Sequence, residues 1–197
     1  MVSITHPHNK IINSMNNIYL VGFMATGKTT VGYQLAKKKK QQFIDLDSLI
    51  ELREKKLIAD IFSEKGEPYF RKAERLALKE VSKEKGFIVA CGGGIVINPE
   101  NVTLMKKTGK LICLTAAPEV ILKRVSGSCH RPLLNVKDPK KQIELLLKLR
   151  APYYALADKT IDTSKLSIQA IVSRINALCK CKAKTHRACR RKGSAKR

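Results

Sequence analysis

Residues Tyr19 to Gly32 read YLVGFMATGKTTVG, and this stretch decides which fold the rest of the chain can adopt. An apolar run leads into Gly22 to Thr29, which fit the pattern G-x-x-x-x-G-K-[ST] between a strand and a helix. Backbone N–H groups of such a loop point inward, and the helix N-terminus adds partial positive charge. The pattern predicts a phosphate cradle in which Lys28 reaches the β- and γ-phosphates and the Thr29 hydroxyl ligates Mg²⁺.

The remainder of the chain alternates short apolar runs with helical patterns, which is typical of a parallel sheet covered by helices on both faces. With 197 residues, 44% of them hydrophobic, the chain suits one domain. The predicted strands are Ile18–Val21, Phe43–Asp45, Phe87–Ala90, Lys110–Leu114 and Thr160–Asp162. Helical periodicity is clearest at Thr29–Lys39, Tyr69–Lys83, Pro118–Val125, Lys140–Leu156 and Ser167–Leu178. These patterns predict an α/β fold with three layers, α/β/α, around a five-stranded parallel sheet.

Two aspartates, Asp45 and Asp47, end the second predicted strand in the segment FIDLDSLIE. Their i, i+2 spacing points both side chains to the same side of an extended segment, so both are predicted to face one site. For Asp47 alone, an alternative is the N-cap of a helix that begins at Ser48.

Two further segments carry candidate site residues. In GEPYFRKAE, Arg71 and Glu74 are spaced i, i+3 on a helix and can pair, although a pair of this kind is also common on protein surfaces. In VACGGGIV, Gly92, Gly93 and Gly94 follow an apolar strand at the carboxyl edge of the sheet, where open α/β folds bind ligands. Three consecutive glycines allow the backbone to approach a small molecule closely.

Taken together, six motifs resemble those of the shikimate kinases in order and approximate spacing. They are the Gly-Lys-Thr loop, the Asp-x-Asp, the Phe-Arg-x-x-Glu, the Gly-Gly-Gly, HRPLL at His130–Leu134 and LRAPYY at Leu149–Tyr154. The resemblance spans Ile18 to Leu178. It implies a monomeric P-loop NTPase of the nucleoside-monophosphate-kinase-like fold. The implied reaction transfers the γ-phosphoryl group of ATP to the 3-hydroxyl of shikimate, with Mg²⁺, on the way to chorismate and the aromatic amino acids.

The resemblance also implies how the site binds ATP and catalyses transfer. The implied ATP-binding residues are Gly22, Ala25, Thr26, Gly27, Lys28, Thr29, Thr30, Arg124 and Arg131. Within this set Arg124 is expected to stack on adenine, and Arg131 to stabilise charge on the transferring group as an arginine finger supplied in cis. Asp45, with Thr29, is expected to orient Mg²⁺. Lys28, Asp47 and Arg131 are the implied catalytic residues.

Shikimate carries one carboxylate and three hydroxyls, so its site needs guanidinium groups, a carboxylate acceptor and backbone donors. The implied substrate-binding residues that meet this need are Asp47, Arg71, Glu74, Gly92, Gly93, Gly94 and Arg150. Asp47 is expected to hold the ring hydroxyls and to assist deprotonation of the attacking one. Arg71 and Arg150 are expected to clamp the carboxylate, with Glu74 holding Arg71 in place.

The expected organisation is an N-terminal extension at residues 1–17, a kinase domain at 18–178 and a basic, disordered tail at 179–197. Within the domain, the resemblance implies a substrate-binding region at about 46–75 and a mobile lid at about 124–137. One position departs from the family pattern: Ala25 stands where a third glycine is usual. If that position needs a positive φ, alanine costs about 1 kcal/mol or somewhat more.

The charge of the chain is strongly positive, at +23, and part of it is concentrated in the tail. Lys180 to Arg197 contain nine Lys or Arg and no acidic residue. The segment either contacts nucleic acid or another polyanion, or is a solvated extension. Three cysteines near this end, with His186, form only a weak zinc pattern.

The six cysteines have no disulfide-framework spacing, which favours reduced thiols and a cytoplasmic location. No apolar run reaches the length of a membrane span, so no membrane contact is expected. Two alternatives to a shikimate kinase remain open. One is another small-metabolite kinase of the same fold, such as a gluconate kinase. The other is a kinase-derived nucleic-acid-binding protein, for which damage to Lys28, Asp47 or Arg131 is expected and none is present.

Overall fold

The computed structural model describes residues 16–125, 136 and 138–180. Its centre is a five-stranded parallel sheet in the order β2-β3-β1-β4-β5. The strands are β1 (Asn17–Val21), β2 (Gln42–Asp45), β3 (Phe87–Ala90), β4 (Gly109–Thr115) and β5 (Lys159–Asp162). All five predicted strands are confirmed, and β1, which leads into the phosphate loop, is the central one.

Within the described residues, seven α-helices and a short 3₁₀ helix, Ile95–Ile97, connect the strands. The helices are α1 (Lys28–Lys39), α2 (Leu46–Glu54), α3 (Ile58–Val81), α4 (Pro99–Thr108), α5 (Pro118–Val125), α6 (Pro139–Tyr154) and α7 (Ile168–Lys180). No helix in this part of the chain has the length and apolar character that a membrane span requires.

Side chains alternate along the buried strands and therefore divide the core between the two faces of the sheet. On one face, Tyr19 and Val21 of β1 belong to a core that α2 to α6 complete. On the other face, Ile18 and Leu20 pack with residues of α1 and α7, including Leu35. The three-layer architecture expected from the sequence is confirmed.

The Asp45–Asp47 segment corrects one expectation. It is not extended throughout: Asp45 ends β2 and is the N-cap of α2, and its side chain accepts a hydrogen bond from the backbone N–H of Asp47. Asp47 therefore lies in the first turn of α2, so it is not the N-cap of a helix beginning at Ser48. Asp45 takes the N-cap position because a carboxylate at the end of a strand can accept hydrogen bonds from the first N–H groups of the next helix, which have no partner within that helix.

Helix α3 is longer than the predicted Tyr69–Lys83, because it begins at Ile58. The carboxylate of Glu51 accepts a hydrogen bond from the Ile58 N–H and caps this end. Gly66, with φ 76° and ψ 169°, interrupts the helix, and Pro68 starts its second half. The predicted helix corresponds to the segment after this kink, and the segment before it was not predicted.

Candidate active site

The phosphate loop joins the carboxyl end of β1 to the N-terminus of α1. Gly22 adopts φ 133°, and a Cβ atom at this position would collide with the carbonyl oxygen of Leu114 in β4. Ala25 adopts φ 58°, so the positive φ on which its predicted cost depends is present. Lys28 Nζ lies back over the loop and donates to the carbonyl oxygens of Gly22 and Phe23, at 3.0 and 2.9 Å. The loop lies between β1 and α1 as the motif predicts, and the contact of Lys28 with phosphates stays a prediction.

A hydroxyl and a carboxylate meet beside the loop. Thr29 Oγ1 donates to Asp45 Oδ2 at 2.7 Å, which brings the first turn of α1 against the end of β2. Both groups are hard oxygen donors, the type that Mg²⁺ prefers alongside water and substrate phosphates. The pair fits a magnesium ion bound between protein and nucleotide, as expected for these two residues.

Two cavities adjoin at the carboxyl edge of the sheet. The first has a volume of about 280 Å³ and is lined by residues of the phosphate loop and by Asp45. The second, of about 480 Å³, lies towards α2, α3 and α6. Met24, Lys28 and Asp47 line both cavities. A group bound in one cavity can therefore reach a group bound in the other across these residues.

The larger cavity is lined by six of the seven residues that were predicted to bind substrate, and the seventh, Glu74, contacts it only through Arg71. Its polar lining includes Asp47, Arg71, Arg150 and the backbone of Gly92, Gly93 and Gly94. Arg71 Nη1 donates to Glu74 Oε2 at 2.8 Å, so Glu74 holds the guanidinium group of Arg71 in place. On α6, the guanidinium of Arg150 lies 5.7 Å from the ring centre of Phe23. Two cationic groups from different helices thus border one small-molecule space.

Two carboxylates beside this space are buried without full hydrogen bonding. Asp47 Oδ1 and Glu74 Oε1 are both inaccessible and have no hydrogen-bond partner. Burial raises the pKa of Glu74 to about 7, against the opposing effect of Arg71. Burial, followed by repulsion from Asp45, raises the pKa of Asp47. Such oxygens are costly in a folded protein unless a ligand supplies the missing donors.

Gly92 lies where these two carboxylates converge. A Cβ atom there would be 2.5 Å from Glu74 Oε1 and 2.9 Å from Asp47 Oδ1, too close for any side chain. The glycine therefore leaves room for the carboxylates and for a ligand beside them. The close approach of the three-glycine backbone to a small molecule stays a prediction.

Arg124 is the predicted adenine-stacking residue, and it lies beside the phosphate loop at the end of α5. Its Nη1 donates to the carbonyl oxygen of Ala25 and to Thr163 Oγ1, each at 3.1 Å, and Nη2 donates to the carbonyl oxygen of Thr163 at 3.0 Å. Arg124 is therefore held against the nucleotide side of the site. Arg131 and His130–Leu134 lie outside the described residues.

Comparisons with known proteins agree with this geometry. The shikimate kinase family model matches residues 24–180. The chain belongs to the shikimate kinase family. It is 46% identical over 161 residues to the shikimate kinase of Caldanaerobacter subterraneus subsp. tengcongensis, across 82% of this chain and 94% of the relative.

Solved structures of shikimate kinases superpose on the chain. The one from Acinetobacter baumannii in complex with shikimate has a TM-score of 0.81 and 36% identity, and covers 86% of this chain and 95% of its own. A gluconokinase from Sinorhizobium meliloti matches at a TM-score of 0.55 and 14% identity over 83% of this chain and 91% of its own, and shares the fold. The family, fold class and activity expected from the sequence are confirmed.

In this shikimate kinase, sequence reasoning missed three contributors to the site. Ile58 and Phe62, in the unpredicted first half of α3, form with Phe70 an apolar wall of the larger cavity. Tyr154 donates its hydroxyl to the carbonyl oxygen of Gly93 at 2.8 Å. Thr163 contacts Arg124 and the phosphate loop. Only Tyr154 had a signal, since it closes the LRAPYY motif.

Proposed function

We propose that this chain transfers the γ-phosphoryl group of ATP to the 3-hydroxyl of shikimate, giving shikimate 3-phosphate and ADP. The observation that carries the proposal is the shared lining of the two cavities by Lys28 and Asp47. An acceptor hydroxyl held by Asp47 faces the end of a nucleotide held by the loop. Phosphoryl transfer needs little more from the protein than this positioning and the stabilisation of charge.

Asp47 is proposed to bind the ring hydroxyls and to accept the proton of the attacking one. Asp47 lines both cavities, and its raised pKa strengthens it as a proton acceptor. Lys28 is proposed to leave its loop carbonyls and follow the negative charge on the β- and γ-phosphates. Both residues act where charge develops during transfer.

Arg71 and Arg150 are proposed to bind the substrate carboxylate, with Glu74 holding Arg71. Gly92, Gly93 and Gly94 complete the polar side of the same cavity. The same cavity is also lined by the apolar wall of Ile58, Phe62 and Phe70. A cyclohexene ring can place an apolar face against such a wall, whereas an open-chain acid such as gluconate, hydroxylated along its length, would leave hydroxyls there without partners. The wall favours shikimate over gluconate.

The nucleotide side is proposed to bind MgATP through Gly22, Ala25, Thr26, Gly27, Lys28, Thr29, Thr30 and Arg124. Thr29 and Asp45 would hold Mg²⁺, which supplies neutralisation of charge shared by the β- and γ-phosphates. Arg131, outside the described residues, is proposed to stabilise the transferring group. Arg131→Ala is then expected to lower kcat by on the order of 10³ with little change in ATP binding.

A coupled assay of ADP release tests the proposal, with shikimate, gluconate and a panel of polyols and sugar acids as acceptors. Turnover is expected with shikimate and to be lost in Lys28→Ala, while circular dichroism shows that this variant remains folded. Absence of ADP release with shikimate in the unaltered protein, or a higher kcat/KM with gluconate, would overturn it.

The remaining proposals concern the whole chain. We propose a cytoplasmic monomer with an extension at residues 1–17, a kinase domain at 18–178, with its substrate-binding region at about 46–75 and its lid at about 124–137, and a basic tail at 179–197. The reduced state of Cys91, Cys113 and Cys179 is consistent with a cytoplasmic location.

The tail is proposed to contact polyanions. Deletion of residues 180–197 should leave kcat unchanged but lower affinity for a polyanion and flatten its salt dependence. An unchanged affinity for the polyanion would contradict this role, and loss of kinase activity in a folded truncated protein would mean that the tail belongs to the active site.

A further inference from the structure

The turn that follows β5 lies beside the phosphate loop. Thr163 is the first residue of this turn and is only 1% exposed. Its backbone N–H donates to the carbonyl oxygen of Thr115 at 2.8 Å, which extends the pairing of β5 with β4 by one residue. The side chain is thereby directed between the end of β4 and the loop.

Three groups surround the Thr163 hydroxyl. Oγ1 lies 2.9 Å from the carbonyl oxygen of Thr115, 3.2 Å from that of Thr26, and 3.1 Å from Arg124 Nη1. A hydroxyl has one proton and two lone pairs, so it accepts from Arg124 and has a single proton for the two carbonyl oxygens, of which that of Thr115 is the nearer. One atom thus joins the end of β4, the phosphate loop and the guanidinium of α5.

The guanidinium of Arg124 is fixed by acceptors on two sides. Thr163 receives a hydrogen bond at its hydroxyl and another at its carbonyl oxygen, and the carbonyl oxygen of Ala25 receives a third. An arginine side chain otherwise loses considerable rotamer freedom when a ligand immobilises it. These contacts restrict the side chain from within the protein, so less of that freedom is left for a bound nucleotide to remove.

We propose that Thr163 is a positioning residue for ATP, which orients Arg124 without touching the nucleotide itself. The inference rests on the proposed contact between Arg124 and the adenine of ATP. It assigns the hydroxyl of Thr163 to nucleotide affinity, not to shikimate binding or to the transfer step. The contacts of Thr163 lie on the loop and α5, and Thr163 lines neither of the two cavities, so it can act on a ligand only through the residues that it contacts.

The test replaces Thr163 with valine, which keeps the shape and removes the hydroxyl. Loss of a hydrogen bond to a charged group predicts a rise of about tenfold in the KM for ATP and in the Kd for ADP. The kcat and the KM for shikimate should change by less than about threefold. Thr163→Ser should return both nucleotide constants to within about twofold of the unaltered protein. If the valine variant does not fold, Thr163→Ala takes its place.

A matched control comes from Thr108, whose hydroxyl is also hydrogen-bonded inside the protein but lies far from the loop, against Tyr19. Thr108→Val should lower the melting temperature and leave the Kd for ADP unchanged. If Thr108→Val weakens ADP binding as much as Thr163→Val does, the effect of Thr163 is only loss of stability, and the proposal is wrong.

A double-mutant cycle separates this inference from the function on which it rests. If Thr163 acts through Arg124, then Thr163→Val adds little to the Kd of Arg124→Ala. Additive effects, or an Arg124→Ala variant that binds ADP normally, would overturn the proposal. ADP titration needs no acceptor, so it remains informative even if the protein fails to phosphorylate shikimate, a failure that would count against the proposed function alone.

Discussion

The two ends of β1 differ in how fully their buried polar groups are hydrogen-bonded. At the amino end, Asn17, Tyr19, Ser82 and Thr108 form an amino-end network, in which Asn17 donates to the Tyr19 hydroxyl and Tyr19 contacts the hydroxyls of Ser82 and Thr108. At the carboxyl end, Asp47 and Glu74 form a carboxyl-end pair, and each has a buried oxygen without a hydrogen-bond partner. The first set is complete within the protein and the second is not.

The difference teaches which polar groups serve stability and which serve a ligand. A satisfied network stabilises the fold and fixes its register, whereas unsatisfied buried oxygens cost free energy that a ligand can recover. The carboxyl end also holds Ala25 at a positive φ, a further local cost. We therefore expect substitutions at the carboxyl end to impair catalysis more than stability, and those at the amino end to do the reverse.

The largest effect is expected from Asp47→Asn. The change removes the ionised acceptor for the substrate hydroxyl, so kcat/KM for shikimate should fall by on the order of 10³. The melting temperature should be unchanged or higher, because a buried charge is lost. Steady-state kinetics and thermal unfolding measure the two effects, and the same change at exposed Asp60 serves as the control. Near-normal activity of Asp47→Asn would refute the role of this carboxylate.

A pH effect is expected from Glu74. Its pKa is about 7 in the folded protein, against 4.5 for an ordinary glutamate. Between these values the folded state binds a proton that the unfolded chain has released, so this group's contribution to the free energy of unfolding decreases as pH rises. Relative to Glu74→Gln, the unaltered protein should lose about 3 kcal/mol between pH 4.5 and pH 7.5. Denaturant unfolding across this range measures it, and parallel curves for the two proteins would contradict the prediction.

At the amino end, Asn17→Ala should lower the free energy of unfolding by about 2 kcal/mol. The change removes the donor to the Glu84 carbonyl oxygen and the acceptor of the Phe87 N–H. Urea unfolding measures the loss, and kcat and both KM values should stay within about twofold of the unaltered protein. A selective rise in either KM would show that the two ends of β1 are coupled. That result would contradict the assignment of stability to the amino end and catalysis to the carboxyl end.

The smallest effect is expected from Ala25→Gly. Glycine relieves the cost of φ 58°, but it also gains freedom in the unfolded chain, so the net gain in stability should be about 0.5 kcal/mol. The melting temperature measures it, with Ala59→Gly in the first turn of α3 as a control that should lose stability. A less stable Ala25→Gly would mean that the loop bears no strain at this residue.

Local patterns were enough to predict the phosphate loop and all five strands. The spacing of Gly22, Lys28 and Thr29 is contiguous in sequence, and the strands are short apolar runs bounded by turns. The first half of α3 was missed because Gly66 and Pro68 are ordinary helix-ending signals. The apolar wall of the larger cavity was missed with it.

The features of the site that were not predicted depend on contacts between residues that are distant in the sequence. Asp45 and Asp47 were placed at one site through an extended segment, yet they meet there because Asp45 caps α2 and turns the chain. The unsatisfied oxygens of Asp47 and Glu74 depend on packing against β3, which no local pattern encodes. Thr163 follows the last apolar residue of β5 in a polar turn, and only the folded sheet brings it beside Thr26.

The central position of β1 has a consequence for the synthesis of the chain. Its neighbours are β3, where Ile18 pairs with Ile88, and β4, where Asn17 pairs with Gly109. Pairings so distant in sequence form slowly, and none of them exists while the ribosome is still making the first helices. The first of the five strands to be made is thus among the last to be locked in place. Until β4 has emerged, the apolar β1 is exposed to other chains, and during that interval a chaperone is most useful to this protein.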